Sequence, residues 1–172
     1  LGYRLLVDAV RSLAESENVP TCLHLDHCSD ISAIETAMNA GFSSVMYDGS
    51  HLGLEENIGN TRIVVEMARP RNITVEGELG AIGGSEDGKA VAAEDICFTT
   101  VEDATRFVNE TQVDMLAVSV GTVHGLYTGK AQIQHQRLKE ISRATGVPLV
   151  LHGASGISDA DIKHAISLGI SK

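Results

Sequence analysis

Cysteine, basic residues and long apolar runs are all scarce in this chain of 172 residues. Its three cysteines, Cys22, Cys28 and Cys97, are odd in number, and two of them flank one short apolar segment. Neither a disulfide framework nor a CxxC metal clip is therefore available, and buried or spectator thiols are expected. Thirteen basic residues, widely dispersed, stand against 23 acidic ones and leave a formal charge of −10. That balance excludes the clustered cationic footprint that nucleic acid requires. No apolar run approaches the roughly 20 residues that cross a bilayer, and Leu1 opens neither a signal peptide nor a basic transit segment. A cytoplasmic protein with no membrane partner is the expectation. Tryptophan is absent and aromatics make up only 3%, but 43% of residues are hydrophobic, enough for one globular core.

The chain alternates helix and strand patterns. Leu5, Leu6, Ala9, Val10 and Leu13 recur at helical spacing until Pro20 forbids continuation. A strand is expected over Thr21 to His27, then a helix capped by the Ser29-Asp30-Ile31-Ser32 run and stopped at Gly41. Strands follow at Ser43 to Asp48, Ile73 to Leu79, Asp114 to Val120 and Pro148 to His152. Helices are expected at Leu54 to Ala68, from about Thr100, at His135 to Thr145 and at Ser158 to Leu168. A Gly-rich loop spans Gly80 to Gly88, and Ile170-Ser171-Lys172 looks like the opening of a sixth strand. Such alternation means a parallel sheet with right-handed crossovers.

A doubly wound sheet and a (β/α)8 TIM barrel both alternate in this way. Polar residues decide between them. Asp26/His27, Asp48, Glu76/Glu78, His124 and His152 stand at the carboxyl ends of all the visible strands, and convergence of many strand ends on one centre is a barrel property. A complete barrel has eight strands and typically about 250 residues. The expectation is a single partial barrel domain over 1–172, α/β in class, with five to six of eight strands, lacking the N-terminal strands and the last one.

His27, His124 and His152 each end an apolar segment, and Asp26 adjoins the first. Three imidazoles with one open position is the coordination of a catalytic zinc, because the fourth place must accept substrate. Gly125 and Gly153 follow two of these histidines and allow backbone to approach a ligand closely. His24 is read differently. Residues i and i+3 of a strand face opposite sides, so His24 should not share a metal with His27 and is expected to be a hydrogen-bonded structural residue. Glu76 and Glu78 share a face, and one of them could serve only to hold a ligand. Asp48 has an equally good reading as a turn cap. His51, His135 and His164 lack motif support and are expected at the surface.

Five ordered motifs, HLDH (24–27), SVMYDGSH (44–51), VEGELGAIGGSEDG (75–88), AVSVGTVHG (117–125) and LVLHGASG (149–156), closely resemble the class II, metal-dependent fructose-bisphosphate and tagatose-bisphosphate aldolases. The resemblance implies reversible, zinc-dependent cleavage of a ketose 1,6-bisphosphate to dihydroxyacetone phosphate and glyceraldehyde 3-phosphate, by a homodimer or homotetramer. The motif LVLHGASG leans the resemblance slightly to the tagatose side. By matched motif it implies zinc on His27, His124 and His152, and Asp26 as acid/base. Asp48 and Glu78 would hold a second divalent or a monovalent cation, or an alternative zinc position. Gly125, Gly153, Ala154 and Ser155 would bind the dihydroxyacetone phosphate portion, and Glu86 in the glycine-rich loop would exchange the proton at its carbon. The chemistry suits these residue types: a Lewis acid stabilises the enediolate left when the carbon–carbon bond breaks, so no Schiff-base lysine is required.

Two other classes stay open. One is a zinc-dependent barrel hydrolase, disfavoured because no pair of histidines stands at i and i+2 on one strand. The other is a non-catalytic barrel fragment or assembly subunit. With strands missing on both sides, the chain by itself is expected to be weakly active or inactive.

Overall fold

In the computed structural model, described here except for Leu1, residues 87–88, 92–96 and 125–132 and the side chains of 83–96, five strands form one parallel sheet. They are β1 (His24–Cys28), β2 (Ser44–Tyr47), β3 (Thr74–Leu79), β6 (Met115–Val118) and β8 (Leu149–Val150), adjacent in that order. Ile170 adds a parallel bridge to Leu149, the beginning of the expected sixth strand. Helices α1 (Tyr3–Glu17), α2 (Ile31–Ala40), α3 (Leu54–Ala68), α4 (Val101–Thr111), α5 (His135–Thr145) and α6 (Asp159–Ser167) alternate with them. Consecutive parallel strands in spatial sequence, each joined to the next through a helix, are the wall of a (β/α)8 barrel.

Local chemistry sets the helix boundaries. The carboxylate of Asp30 accepts from the backbone N–H groups of Ser32 and Ala33, Thr100 accepts from Asp103 and Ser158 from Asp161, so three helices begin on side-chain caps. Gly41, at φ +110°, and Gly146, at φ +67°, end α2 and α5 in the left-handed conformation that glycine adopts without steric cost. One apolar pattern differs from its reading. Leu5, Leu6 and Leu13 are exposed, and Val7 is the residue α1 buries, because the helix rests on α2 through a narrow face where Tyr3 stacks edge-on against Phe42.

The two faces of the sheet carry different layers. Val45, Tyr47, Val75, Leu79, Leu116, Val118 and Leu149 face the helices and join the main core, whereas Met46, Ala117 and Val150 form a separate small cluster on the other side. By the two-residue period of a strand, Asp48, Glu76 and Glu78 belong with that second, interior face. Gly77, between the two glutamates, faces outward, where a Cβ would come within 2.7 Å of the Phe107 ring. Helix α4 thus packs directly on the backbone of β3.

The glycine-rich segment is not the plain loop expected over Gly80 to Gly88. Its backbone makes strand β4 (Gly83–Glu86), paired antiparallel with β5 (Lys89–Val91) and parallel with β7 (Val123–His124). Gly84 stands opposite His124 in that ladder. Glycines at 83 and 84 signal a loop as readily as a strand, so sequence alternation cannot announce this pairing. Cys22, Cys28 and Cys97 form no disulfide, and Cys22 and Cys97 are exposed, as spectator thiols would be.

Candidate active site

Strand β1 carries the first departure from regular geometry. Its register with β2 shifts between Leu25 and Cys28, and His27 adopts a left-handed φ of +42°. A bulge of this kind re-aims a side chain. It brings His27 into the interior beside the partners of His24, so the expectation that the two histidines face opposite sides fails. The hydrogen-bonded role expected of His24 is observed. His24 is tied into hydrogen bonds, with Nδ1 2.7 Å from the Ser44 hydroxyl and Nε2 2.9 Å from the Lys172 ammonium.

His27, His124 and His152 come together from β1, β7 and the end of β8. The ring of His27 lies 5.0 Å from that of His124 and 4.3 Å from that of His152, and the last two are 5.9 Å apart. Nε2 of His27 is 3.0 Å from Nδ1 of His152. The other nitrogen of each ring meets carboxylate: His27 Nδ1 lies 3.2 Å from Asp48 Oδ2 and 3.5 Å from Glu78 Oε2, and His152 Nε2 lies 2.8 Å from Glu76 Oε1. A ring nitrogen facing carboxylate carries the proton, which leaves its opposite nitrogen as a lone pair. Two lone pairs 3.0 Å apart repel unless a proton or a cation lies between them. Two nitrogens on a tetrahedral zinc, each roughly 2.0–2.1 Å from the metal, stand about 3.3 Å apart. The donor set therefore fits zinc.

Among the described residues, two overlapping groups could hold a cation: Asp26 with His27 and His152, and His27 with Asp48 and Glu78, the ligand atoms of each lying within 4.8 Å of one another. Their carboxylates differ in character. His24, 3.7 Å from Asp26, holds the Asp26 carboxyl well below the usual range, against partial burial and with help from His152, His27 and Lys172. Asp26 is half-exposed and ionised in neutral solution. Burial opposes ionisation of Asp48 and Glu76, yet hydrogen bonds from His27 and Ser50 outweigh it at Asp48, and those from His152 and Lys172 do so at Glu76. Glu78 is the exception. Burial, followed by the neighbouring Asp48 charge, pushes its carboxyl up to about 8, with His27 opposing, and its Oε2 has no hydrogen-bond partner. A buried carboxylate oxygen left unmatched beside two further ligand atoms is what a cation would satisfy.

Gly153 turns the chain at φ +69°, where a Cβ would sit 2.6 Å from the Val123 carbonyl, and Ala154–Gly156 then make one 3₁₀ turn. This brings Gly153, Ala154 and Ser155 to the mouth beside His152 and β7. Gly125 lies outside the described residues, as does the side chain of Glu86. Asp48 accepts from Ser50 as a turn residue and also faces His27. Of the residues expected at the surface, His51 and His164 are exposed. His135 is half-buried against the His164 ring, 4.4 Å away, and lies 3.5 Å from Asp161. Sequence reasoning missed Lys172, whose ammonium donates to Glu76 Oε2 at 2.6 Å. The only available signal was its place at the end of the sixth strand segment.

Fold and site together place the chain in the barrel class, with imidazole and carboxylate groups of metal-ligating type gathered at the carboxyl ends of the strands. Residues 1–172 match the family described as fructose-bisphosphate aldolase class-II, and the chain belongs to that family. It is 46% identical over 173 residues to 6-phospho-5-dehydro-2-deoxy-D-gluconate aldolase of Shouchella clausii, covering 99% of this chain and 58% of that protein. It is also 46% identical to sulfofructosephosphate aldolase of Alkalicoccus urumqiensis over 154 residues, 90% of this chain and 54% of that one. Among solved structures, the YdjI aldolase of Escherichia coli K12 superposes with a TM-score of 0.85 at 40% identity, over 99% of this chain and 59% of that one. A putative fructose-1,6-biphosphate aldolase of Coccidioides immitis gives 0.88 at 38% identity, over 98% and 60%. The chain thus spans somewhat over half the length of these relatives. No helix among the described residues is long and apolar enough to cross a membrane.

Proposed function

We propose that the protein carrying this chain is a zinc-dependent aldolase that cleaves a phosphorylated keto-sugar bearing a carboxyl or sulfo group. The observation that carries this reading is the approach of His27 Nε2 to His152 Nδ1 at 3.0 Å, in one ligand group with the Asp26 carboxylate. His27, His152 and His124 would hold zinc. Asp48 and Glu78, with His27, would offer a second or alternative cation position. When bound, zinc supplies Lewis acidity at the carbonyl beside the bond that breaks.

The chain's own groups do the rest. Asp26, ionised and half-exposed at the mouth, accepts the proton of the hydroxyl next to the scissile carbon–carbon bond and returns it in the condensation direction. Glu86 is assigned to proton exchange at the carbon that becomes nucleophilic. Gly125, Gly153, Ala154 and Ser155 are assigned to the phosphate. The tight turn after His152 supports this, because it brings backbone to the site without a side chain in between. A homodimer or homotetramer is the proposed assembly.

The substrate reading shifts from the bisphosphates implied by the motifs. The two relatives at 46% identity are named for a phosphogluconate derivative and a sulfofructose phosphate, each a sugar phosphate with a carboxyl or sulfo group. The test is cleavage of 6-phospho-5-dehydro-2-deoxy-D-gluconate, sulfofructose phosphate, fructose 1,6-bisphosphate and tagatose 1,6-bisphosphate, with and without chelator. Chelator-sensitive triose phosphate release, faster from one of the first two, is expected. Fastest turnover of a bisphosphate restores the narrower substrate reading. Bound zinc with no cleavage of any of the four favours the hydrolase, and neither zinc nor cleavage favours a structural module.

A further inference from the structure

We propose that Lys172 is a positioning residue for the site, acting through Glu76 to hold the His152 ring with Nδ1 toward the metal position. The inference rests on the reading of His152 as a ligand, and three observations carry it.

First, Glu76 is fully buried on the interior face of β3, in register with Met46 on one side and Met115 on the other. A carboxylate in such surroundings keeps its charge and orientation only when both oxygens are matched. They are matched by two different groups. Oε1 accepts from His152 Nε2 at 2.8 Å, and Oε2 accepts from the Lys172 ammonium at 2.6 Å.

Second, the hydrogen bond to Oε1 places the proton of His152 on Nε2 and leaves Nδ1 as a lone pair, 3.0 Å from His27 Nε2. Which imidazole nitrogen can ligate is set by the bond that the other one makes. Glu76 therefore chooses the ligating atom of His152. Lys172 holds Glu76 to that choice. Without the ammonium, Oε2 loses its partner, and the carboxylate is free to turn toward the His24 ring, whose Nε2 lies 3.5 Å from Oε2.

Third, Lys172 is fixed beside His152 by strand pairing and not by its side chain alone. Ser171 N–H donates to Leu149 O at 2.9 Å, and Leu151 N–H donates to Lys172 O at 3.0 Å. The ladder that begins at Leu149 and Ile170 thus delivers the lysine next to the end of β8. Its side chain could run out to solvent. It turns inward instead and contacts Glu76 and His24 at once.

Two readouts on the purified protein test the claim. Long-range proton–nitrogen NMR of the metal-free form reports the His152 tautomer, and competition with a chromogenic chelator reports zinc affinity. The wild type is expected to show the Nε2–H tautomer. Lys172→Met is expected to mix the two tautomers and to weaken zinc about 10- to 100-fold, the range seen when groups supporting a ligand are removed. Lys172→Arg, whose guanidinium can also grip a carboxylate, should recover most of both. If Lys172→Met folds poorly, the double variant Glu76→Gln/Lys172→Met leaves no unpaired buried charge. Its amide can offer His152 either an oxygen or an N–H, so mixed tautomers and weak zinc are again expected. Wild-type tautomer and zinc affinity in both variants would overturn the proposal. Failure of the wild type to bind zinc would sink the ligand reading instead, while the metal-free tautomer comparison would still decide the role of Lys172.

Discussion

Nε2 of His27 and Nδ1 of His152 lie 3.0 Å apart although 125 residues separate them in the chain. One sits on a bulged strand end and the other at the end of the fifth parallel strand, so the contact exists only when the sheet is assembled. Carboxylates face the opposite sides of both rings, which favours a lone pair on each of these nitrogens for a metal to share. His27→Ala and His152→Ala should therefore each abolish tight zinc binding in metal analysis after dialysis. Retention of one zinc per chain by both variants would show that these rings do not hold it.

Asp26→Asn keeps the shape of the side chain and removes its capacity as a base. The turnover number for aldol cleavage should drop by about 10² to 10⁴, the usual contribution of a positioned acid or base. Zinc content should stay near that of the parent. A variant within a few-fold of wild-type kcat would remove Asp26 from the proton-transfer role.

Among the described acids of the site, burial makes Glu78 the one that favours its neutral form, with its carboxyl raised to about 8 against an ordinary 4.5. The sign follows from linkage. The folded, metal-free protein binds a proton there that the unfolded chain releases, so the contribution is fully present below about pH 4.5 and is lost as pH rises through about 8. Denaturant unfolding of the metal-free protein should show this decline, and Glu78→Gln should flatten it. Parallel pH profiles for the two proteins would contradict the assignment.

Gly153 cannot accept a side chain. Its φ is +69°, and a Cβ would lie 2.6 Å from the carbonyl carbon and oxygen of Val123. Gly153→Ala should cost about 1–3 kcal/mol or more, through left-handed backbone strain and overpacking against a neighbouring chain segment. Chemical denaturation that gives a wild-type midpoint and slope would show that the turn relaxes freely.

Much of the barrel wall is written locally. The run of Ser29 to Ser32 announces a capped helix, and the Asp30 carboxylate makes that cap. Glu76 and Glu78 read as sharing a face because strand period alone requires it, and both point into the interior. The relation of His24 to His27 was not legible, since period reasoning assumes a regular strand and β1 carries a bulge with a left-handed His27. The pairing of β4 with β7 was hidden by glycines, which signal a loop and a close backbone approach equally well. Lys172 escaped notice because the reach of a long side chain depends on groups brought near it by the fold, here Glu76 and His24 from two other strands.

The most direct test of the central claim is anomalous diffraction at the zinc edge from crystals of the purified protein soaked in zinc. The structure predicts a peak about 2.0–2.1 Å from both His27 Nε2 and His152 Nδ1, close to the Asp26 carboxylate and displacing the direct contact between the two rings. An anomalous map with no peak within ligand distance of these two nitrogens would contradict it.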